Sequence, residues 1–368
     1  MNRGNPAEWD SRAAGGRGLQ SLRVGQHGGE EGQIDVSRHS SHPVVADPVG
    51  MSKGADRVAP ENVLQARVMK PAISFAAIPG RRRTTLELAG EIERRGFAGL
   101  YCPSFGDGLG LCEALALVTP RVPFGTSIVN IYTRHAHDYA KTACLIHELA
   151  PGRFRFGIGV SHAPVNAHYG VRTGKPIEDV RRFVADLRSG ARGNDELPPI
   201  VLAALRKPMA RLASEIAEGA VWANAARSHM ATSLSCLKPE QRSGDSFFVG
   251  NMIPTCICED RAAAAAVMRK TLRGYASLPN YQTYWIEAGY EEEMRAVQRA
   301  AAAGDGDGIQ RAMSDQWLRD VTLFGSAVEV RDGFEAWLAA GVKTPILVPS
   351  SASGGQMKAI EELFAAFA

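Results

Sequence analysis

The chain contains no run long and apolar enough to span a bilayer, and its first residues lack the apolar core of a secretory leader. An excess of one charge is missing too. Lys and Arg number 42 against 39 Asp and Glu, a formal net charge of +3, which gives no reason to expect a nucleic acid or a membrane surface as partner. Cysteine is sparse: 6 in 368 residues, scattered as Cys102, Cys112, Cys144, Cys236, Cys256 and Cys258. That usage fits reduced thiols in a cytoplasmic protein and argues against a disulfide framework. Cys256-Ile-Cys258 has no second pair and no flanking histidine, so no metal site is expected. Paired carboxylates, a nucleophile elbow and a Ser-His-Asp order are all absent from the pattern. No P-loop lysine follows a glycine run. Gly157-Ile158-Gly159 has His162 where the third glycine of a dinucleotide-binding turn would stand.

What is present begins after residue 68. Residues 1–68 are rich in Gly, Ser, Arg and His and carry no apolar period. Such a composition cannot offset the entropy of ordering it, so a disordered extension is expected ahead of one domain, 69–368. From Ala72 onward strand and helix alternate. Strands are predicted at 72–78, 99–103, 122–131, 154–160, 200–204, 220–223, 247–256 and 344–348. Thr84, with Glu87 at capping-box spacing, is expected to open the first helix. The segment from 278 to about 316 reads as a partly helical insertion before the last strand. This alternation predicts an α/β protein with a closed (β/α)8 TIM barrel; an open doubly wound sheet is the alternative.

One stretch organises the rest. Residues 122–131 are β-branched and apolar, as in a strand buried on both faces. Tyr139, Ala143, Leu145, Ile146 and Leu149 then recur at helical spacing, and Pro151-Gly152 ends that helix. Residues 154–160 form the next strand, completing a right-handed βαβ unit. In a barrel of this kind the site lies at the C-terminal ends of the strands. Ser127, Ile128 and Asn130, then Ser161 and His162, then Arg206, then Arg227 are therefore the candidates. Few of them are acid–base groups. Such a site suits hydride transfer, in which a cofactor carries the chemistry. His162 titrates near neutrality and can exchange a proton, while Asn130 can hydrogen-bond a ring or substrate; these two are the catalytic candidates.

The run Gly125-Thr-Ser-Ile-Val-Asn-Ile-Tyr-Thr-Arg-His135, followed by Gly152-Arg-Phe-Arg-Phe-Gly-Ile-Gly-Val-Ser-His-Ala-Pro-Val165, resembles the luciferase-like monooxygenase superfamily. The likeness continues at Leu278-Pro-Asn-Tyr281 and from Trp337 to Pro349. It is nearest to the actinobacterial branch that uses the deazaflavin coenzyme F420. The resemblance implies a luciferase-like barrel and an F420-dependent oxidoreductase acting on a small organic substrate. It also implies a homodimer. A non-proline cis peptide is implied at Ser127–Ile128, against the central ring of the cofactor, with Ser161 close by. Arg206 would meet the cofactor phosphate and Arg227 its polyglutamate tail. Two departures matter. The Asp-His that sugar-phosphate dehydrogenases of this group carry after the second strand is replaced by Pro103-Ser104, which argues against that substrate. The glycines that usually hold the phosphate are replaced at Leu205-Arg206. An FMN-dependent monooxygenase, and a non-catalytic barrel that lost its flavin, remain the alternatives.

Overall fold

A computed structural model describes residues 69–104, 106–193 and 195–368; the expected extension over 1–68 lies outside the described residues. The strands are β1 (Ala72–Ser74), β2 (Gly99–Cys102), β3 (Phe124–Thr126), β4 (Val129–Asn130) and β5 (Phe154–Gly159). They continue with β6 (Ile200–Ala203), β7 (Gly219–Ala223), β8 (Phe248–Ile257), β9 (Leu323–Gly325) and β10 (Thr344–Ser350). Every pairing is parallel, and β10 pairs with both β1 and β8. That double pairing closes the sheet into an eight-stranded barrel and removes the open-sheet alternative. β3 and β4 are two pieces of one barrel strand, both beside β5, and β9 is a short appendage on the far half of β8.

Between and after the strands run α1 (Arg82–Arg94), α2 (Gly108–Val118), α3 (Ala136–Leu149), α4 (Ala163–His168), α5 (Pro176–Gly190), α6 (Lys207–Ile216), α7 (Met230–Leu234) and α8 (Pro239–Ser243). α9 (Arg261–Ala276) follows β8. The insertion is helical throughout, as α10 (Pro279–Glu287), α11 (Glu291–Ala302), α12 (Gly306–Arg311) and α13 (Asp315–Val321). α14 (Ala327–Ala339) and α15 (Gln356–Ala366) flank the last strand. The first helix does not start at Thr84. It opens at Arg81 without a side-chain cap, and the Thr85 hydroxyl donates back to the Arg81 carbonyl at 2.9 Å.

The barrel interior is small and apolar: Ala72, Tyr101, Val201, Val221, Phe248 and Ile346, covered by Ile128 and Met252. The Arg155 guanidinium lies 5.3 Å from the Phe248 ring, and burial raises the pKa of Tyr101 against a smaller opposing pull from Arg155. The larger core lies between strands and helices, with Phe124, Phe154, Phe156 and Trp222 all buried.

The expected single strand over 122–131 is interrupted at Ser127–Ile128, whose peptide bond is cis, as the resemblance implies. The Ser127 amide still donates to the Cys102 carbonyl at 2.7 Å, and the Thr126 hydroxyl donates to the Gly157 carbonyl at 2.7 Å. The two backbones come so close there that a Cβ on Gly157 would stand 1.9 Å from the Thr126 oxygen. Close approach of strands, not a nucleotide turn, therefore explains the glycine at 157.

Candidate active site

The floor of the barrel mouth is apolar. Ile128 and Met252 are half-buried above the interior cluster, and the Ser127 hydroxyl reaches the Met252 sulfur at 3.0 Å across the barrel. Ala203 and Ala223, the last residues of β6 and β7, are half-buried beside them.

The β4–β5 side is built by two buried asparagines. Asn130 Nδ2 donates to Asn166 Oδ1 at 2.7 Å, and Asn130 Oδ1 accepts from the Tyr132 amide at 3.1 Å. Asn166 Nδ2 donates to the Val160 carbonyl at 2.9 Å. The amide of Asn130 thus ties β4 to α4 and to the end of β5. Ser161 takes a left-handed turn, φ 56°, and His162 then stands at the N-terminus of α4. The His162 ring packs 5.7 Å from Tyr281 and 6.1 Å from Tyr275. Its Nδ1 is buried without a hydrogen-bond partner among the described residues, and burial pushes its pKa below the usual histidine value.

The β6–β8 side is roofed by α10, which the sequence placed only as part of an insertion. Asn224, one residue past β7, also turns left-handed at φ 53°. Its amide donates to the Met252 carbonyl at 3.0 Å, and its carbonyl accepts from Trp285 Nε1 at 3.1 Å. Its Nδ2 has no hydrogen-bond partner of normal geometry, although the Tyr281 hydroxyl lies beside it. The Ala226 amide donates to the Tyr284 hydroxyl at 3.2 Å. Arg206, at the N-terminus of α6, is paired with Glu287 of α10 at 2.5 Å. Arg227 opens a short 3-10 turn, Arg227–His229, and lines a cavity of about 410 Å3 between that turn and the insertion.

Ser127, Ile128, Asn130, Ser161 and His162 therefore share one side of the mouth, while Arg206 and Arg227 stand on the rim against the insertion helices. Asn224 is legible as a residue just past a barrel strand, whereas the sequence does not single out Met252, Tyr275, Tyr281 or Trp285 as site residues. The motif Leu278-Pro-Asn-Tyr281 is visible in the sequence, but nothing local says that it folds over the mouth. Among the described residues no group of three His, Cys, Asp or Glu side chains is placed to hold a metal, and no helix is long and apolar enough to cross a membrane.

A family model for luciferase-like monooxygenase matches residues 66–344. The chain belongs to the luciferase-like monooxygenase family. A curated relative from Mycobacterium tuberculosis, carrying the provisional name of coenzyme F420-dependent oxidoreductase, is 25% identical over 282 residues, 64% of this chain and 81% of its own. Among solved structures, the coenzyme F420-dependent tetrahydromethanopterin reductase of Methanopyrus kandleri superposes with a TM-score of 0.63 at 16% identity, covering 81% of this chain and 97% of that one. An F420-dependent secondary alcohol dehydrogenase, in complex with an F420-acetone adduct, gives 0.59 at 16% identity over 82% and 100% of the two chains. The oxygenating constituent of the 3,6-diketocamphane monooxygenase of Pseudomonas putida, in complex with FMN, gives 0.52 at 16% identity over 81% and 96%. At these identities the structural likeness establishes the family's fold, and the cofactor has to be argued from the site.

Proposed function

We propose that this family member is an F420-dependent oxidoreductase that moves a hydride between the deazaflavin and a small organic substrate. The observation that carries the reading is the composition of the mouth: an apolar floor of Ile128 and Met252, and on the loop after β5 the half-buried imidazole of His162, whose Nδ1 is enclosed and unpartnered. The residues fit a flat ring system with a polar edge. Ile128 and Met252 offer it an apolar face, and the His162 imidazole, whose Nδ1 lacks a partner, offers a polar one. The cofactor, when bound, supplies the carbon that takes or gives the hydride.

The chain's own part is positioning and proton handling. The Asn130–Asn166 pair fixes the turn that presents His162. Burial favours the neutral imidazole, so the ring can accept the proton that leaves a substrate as its hydride leaves. It returns the proton in the reverse direction. Tyr275, Tyr281 and Trp285 shield this side from water. Arg227 is assigned to the anionic end of the cofactor. The guanidinium of Arg206 is taken by Glu287, so its part is to hold the roof rather than a phosphate. A homodimer is proposed as well, supported by exposed Leu117 and Val118 on α2 and Leu145 and Leu149 on the neighbouring α3; light scattering of the purified protein tests it.

Titration of the purified protein with F420 and with FMN, followed by fluorescence, tests the cofactor. A tight F420 complex that weakens with salt is expected, because the tail is polyanionic. Binding of FMN alone would move the assignment to the monooxygenase reading, and binding of neither to a barrel without redox chemistry.

A further inference from the structure

The segment that presents His162 is held near its start by Asn130 and Asn166, and its far end has an anchor of its own. After α4 the chain runs through residues 171–175 to Pro176, where α5 begins. Asp179 stands in the first turn of α5, buried, and three donors converge on its carboxylate. Oδ2 accepts from the Tyr132 hydroxyl at 2.7 Å and from the Gly174 amide at 2.8 Å. Oδ1 accepts from the Arg182 guanidinium at 2.7 Å. Gly174 permits this approach, because a Cβ there would stand 2.7 Å from Asp179 Oδ1.

A carboxylate that only capped its own helix would accept from the amides of α5. Two of these three donors lie outside that helix, and Tyr132 is 47 residues away in sequence. Tyr132 closes a circuit. Its amide donates to Asn130 Oδ1, and Asn130 Nδ2 donates to Asn166 Oδ1 on α4. Asn166 Nδ2 then reaches the carbonyl of Val160, two residues ahead of His162. The segment from Ser161 to Gly174 is thus pinned at both ends to one short stretch, Asn130–Tyr132. Hydrogen bonds to an ionised, buried carboxylate are the stronger kind, and losing a donor leaves that charge poorly solvated.

We infer that Asp179, acting through Tyr132 and Gly174, is a positioning residue that fixes the His162 segment against the barrel mouth. Its importance to the reaction rests on the reading of His162 as the proton-handling group. The anchor itself can be tested without cofactor or substrate, so the two fail separately.

The full chain, labelled at histidine, is titrated by NMR, with His162→Asn assigning the His162 signal. Amide exchange is measured over residues 161–175. The variants are Asp179→Ala, Tyr132→Phe, which removes one bond without changing charge, and Asp179→Asn, which keeps an acceptor oxygen. In Asp179→Ala exchange of the segment should quicken about tenfold or more, and the His162 titration should rise toward the value of about 6.5 for a free histidine. The sign is diagnostic, because losing a negative charge alone lowers a histidine titration, whereas solvating a released ring raises it. Tyr132→Phe should move both readouts the same way by less, and Asp179→Asn should restore much of the parent's behaviour. Melting curves confirm folding; if Asp179→Ala unfolds, Tyr132→Phe decides. Exchange and titration unchanged from the parent overturn the anchor. Faster exchange confined to residues 171–175, with His162 titrating as in the parent, also overturns it, since Asp179 then holds only its own approach to α5. A protein that shows the expected shifts but binds no F420 keeps the anchor and loses the oxidoreductase reading.

Discussion

The two sides of the barrel mouth are held together by different kinds of contact. On the β4–β5 side the bonds are local or nearly so, with separations of 2 residues for Tyr132 to Asn130, 6 for Asn166 to Val160 and 36 for Asn130 to Asn166. On the β6–β8 side they span 58 residues for Ala226 to Tyr284, 61 for Trp285 to Asn224 and 92 for Ser228 to Asp320. The first side is a βαβ unit that carries its own scaffold. The second is incomplete until the insertion folds onto it. The apolar floor is therefore set by the barrel itself, while the roof depends on the inserted helices.

The contrast is broken most severely at Trp285. It is fully buried, stands edge-on to Trp317 at 4.7 Å, and donates the bond that holds the Asn224 turn. Trp285→Ala should cost about 3–5 kcal/mol, the range for deleting a buried aromatic, measured by urea unfolding. It should also weaken cofactor binding, because Asn224 loses its anchor. A loss below about 1 kcal/mol would mean that the roof is only loosely seated on the mouth.

His162 joins the two sides, since it belongs to the β5 loop and packs on Tyr275 and Tyr281. His162→Ala should lower turnover by at least about 100-fold, the lower range for lost proton transfer, with little change in cofactor affinity. His162→Asn keeps a hydrogen-bonding side chain but cannot titrate. Activity restored by Asn would reduce the residue to a positioning role. Its pKa also sets a stability trend. Burial lowers the folded value, so below about pH 6.5 the unfolded chain binds more protons and stability falls as pH falls. His229 adds to the same trend, lowered by burial first and by Lys207 second. Urea unfolding of His162→Asn between pH 5 and pH 8, a window set around the about 6.5 of a free histidine, should show a shallower acid loss than the parent.

On the local side the decisive pair is Asn130–Asn166. Asn130→Ala leaves the buried Asn166 Oδ1 unsatisfied and removes the acceptor of the half-buried Tyr132 amide, at a cost of about 1–3 kcal/mol. Asn166→Ala should cost a similar amount, and the double variant less than the sum by about 0.5 kcal/mol or more. Strict additivity in the double-mutant cycle would deny that the two amides form one unit.

The legibility of the sequence follows the same divide. The β3–β5 unit could be read because apolar runs and helical spacing are local signals, and α3 ends at Leu149, just ahead of Pro151-Gly152 as expected. The break at Ser127–Ile128 came from the resemblance, not from periodicity. Thr84 misled because Gly80, at φ 77°, turns the chain earlier and the helix has begun by Arg82. β9 was missed since Leu-Phe-Gly is too short to display a period. The roof was illegible for a deeper reason. Tyr281, Tyr284 and Trp285 on α10 look like an ordinary amphipathic face, and only the tertiary fold decides that this face meets Asn224 and His162 as well as its neighbouring helices.

The smallest effect is expected at the outer edge of the roof, where Arg206 meets Glu287. The pair is short, 2.5 Å, but the side chains are 41% and 34% exposed, so water and salt screen much of the attraction. Arg206→Ala should change stability by no more than about 1 kcal/mol, a shift of a few degrees at most in melting temperature. Its larger consequence is for binding. If Arg206 only holds α10 in place, Glu287→Gln should mimic Arg206→Ala, with both variants binding F420 slightly more weakly and retaining the parent's salt dependence. If the guanidinium instead leaves Glu287 to meet the cofactor phosphate, Arg206→Ala alone should weaken binding and flatten the salt dependence, while Glu287→Gln should tighten it by freeing the arginine. Fluorescence titrations of the two variants at two salt concentrations distinguish a strut of the roof from a direct ligand of the cofactor.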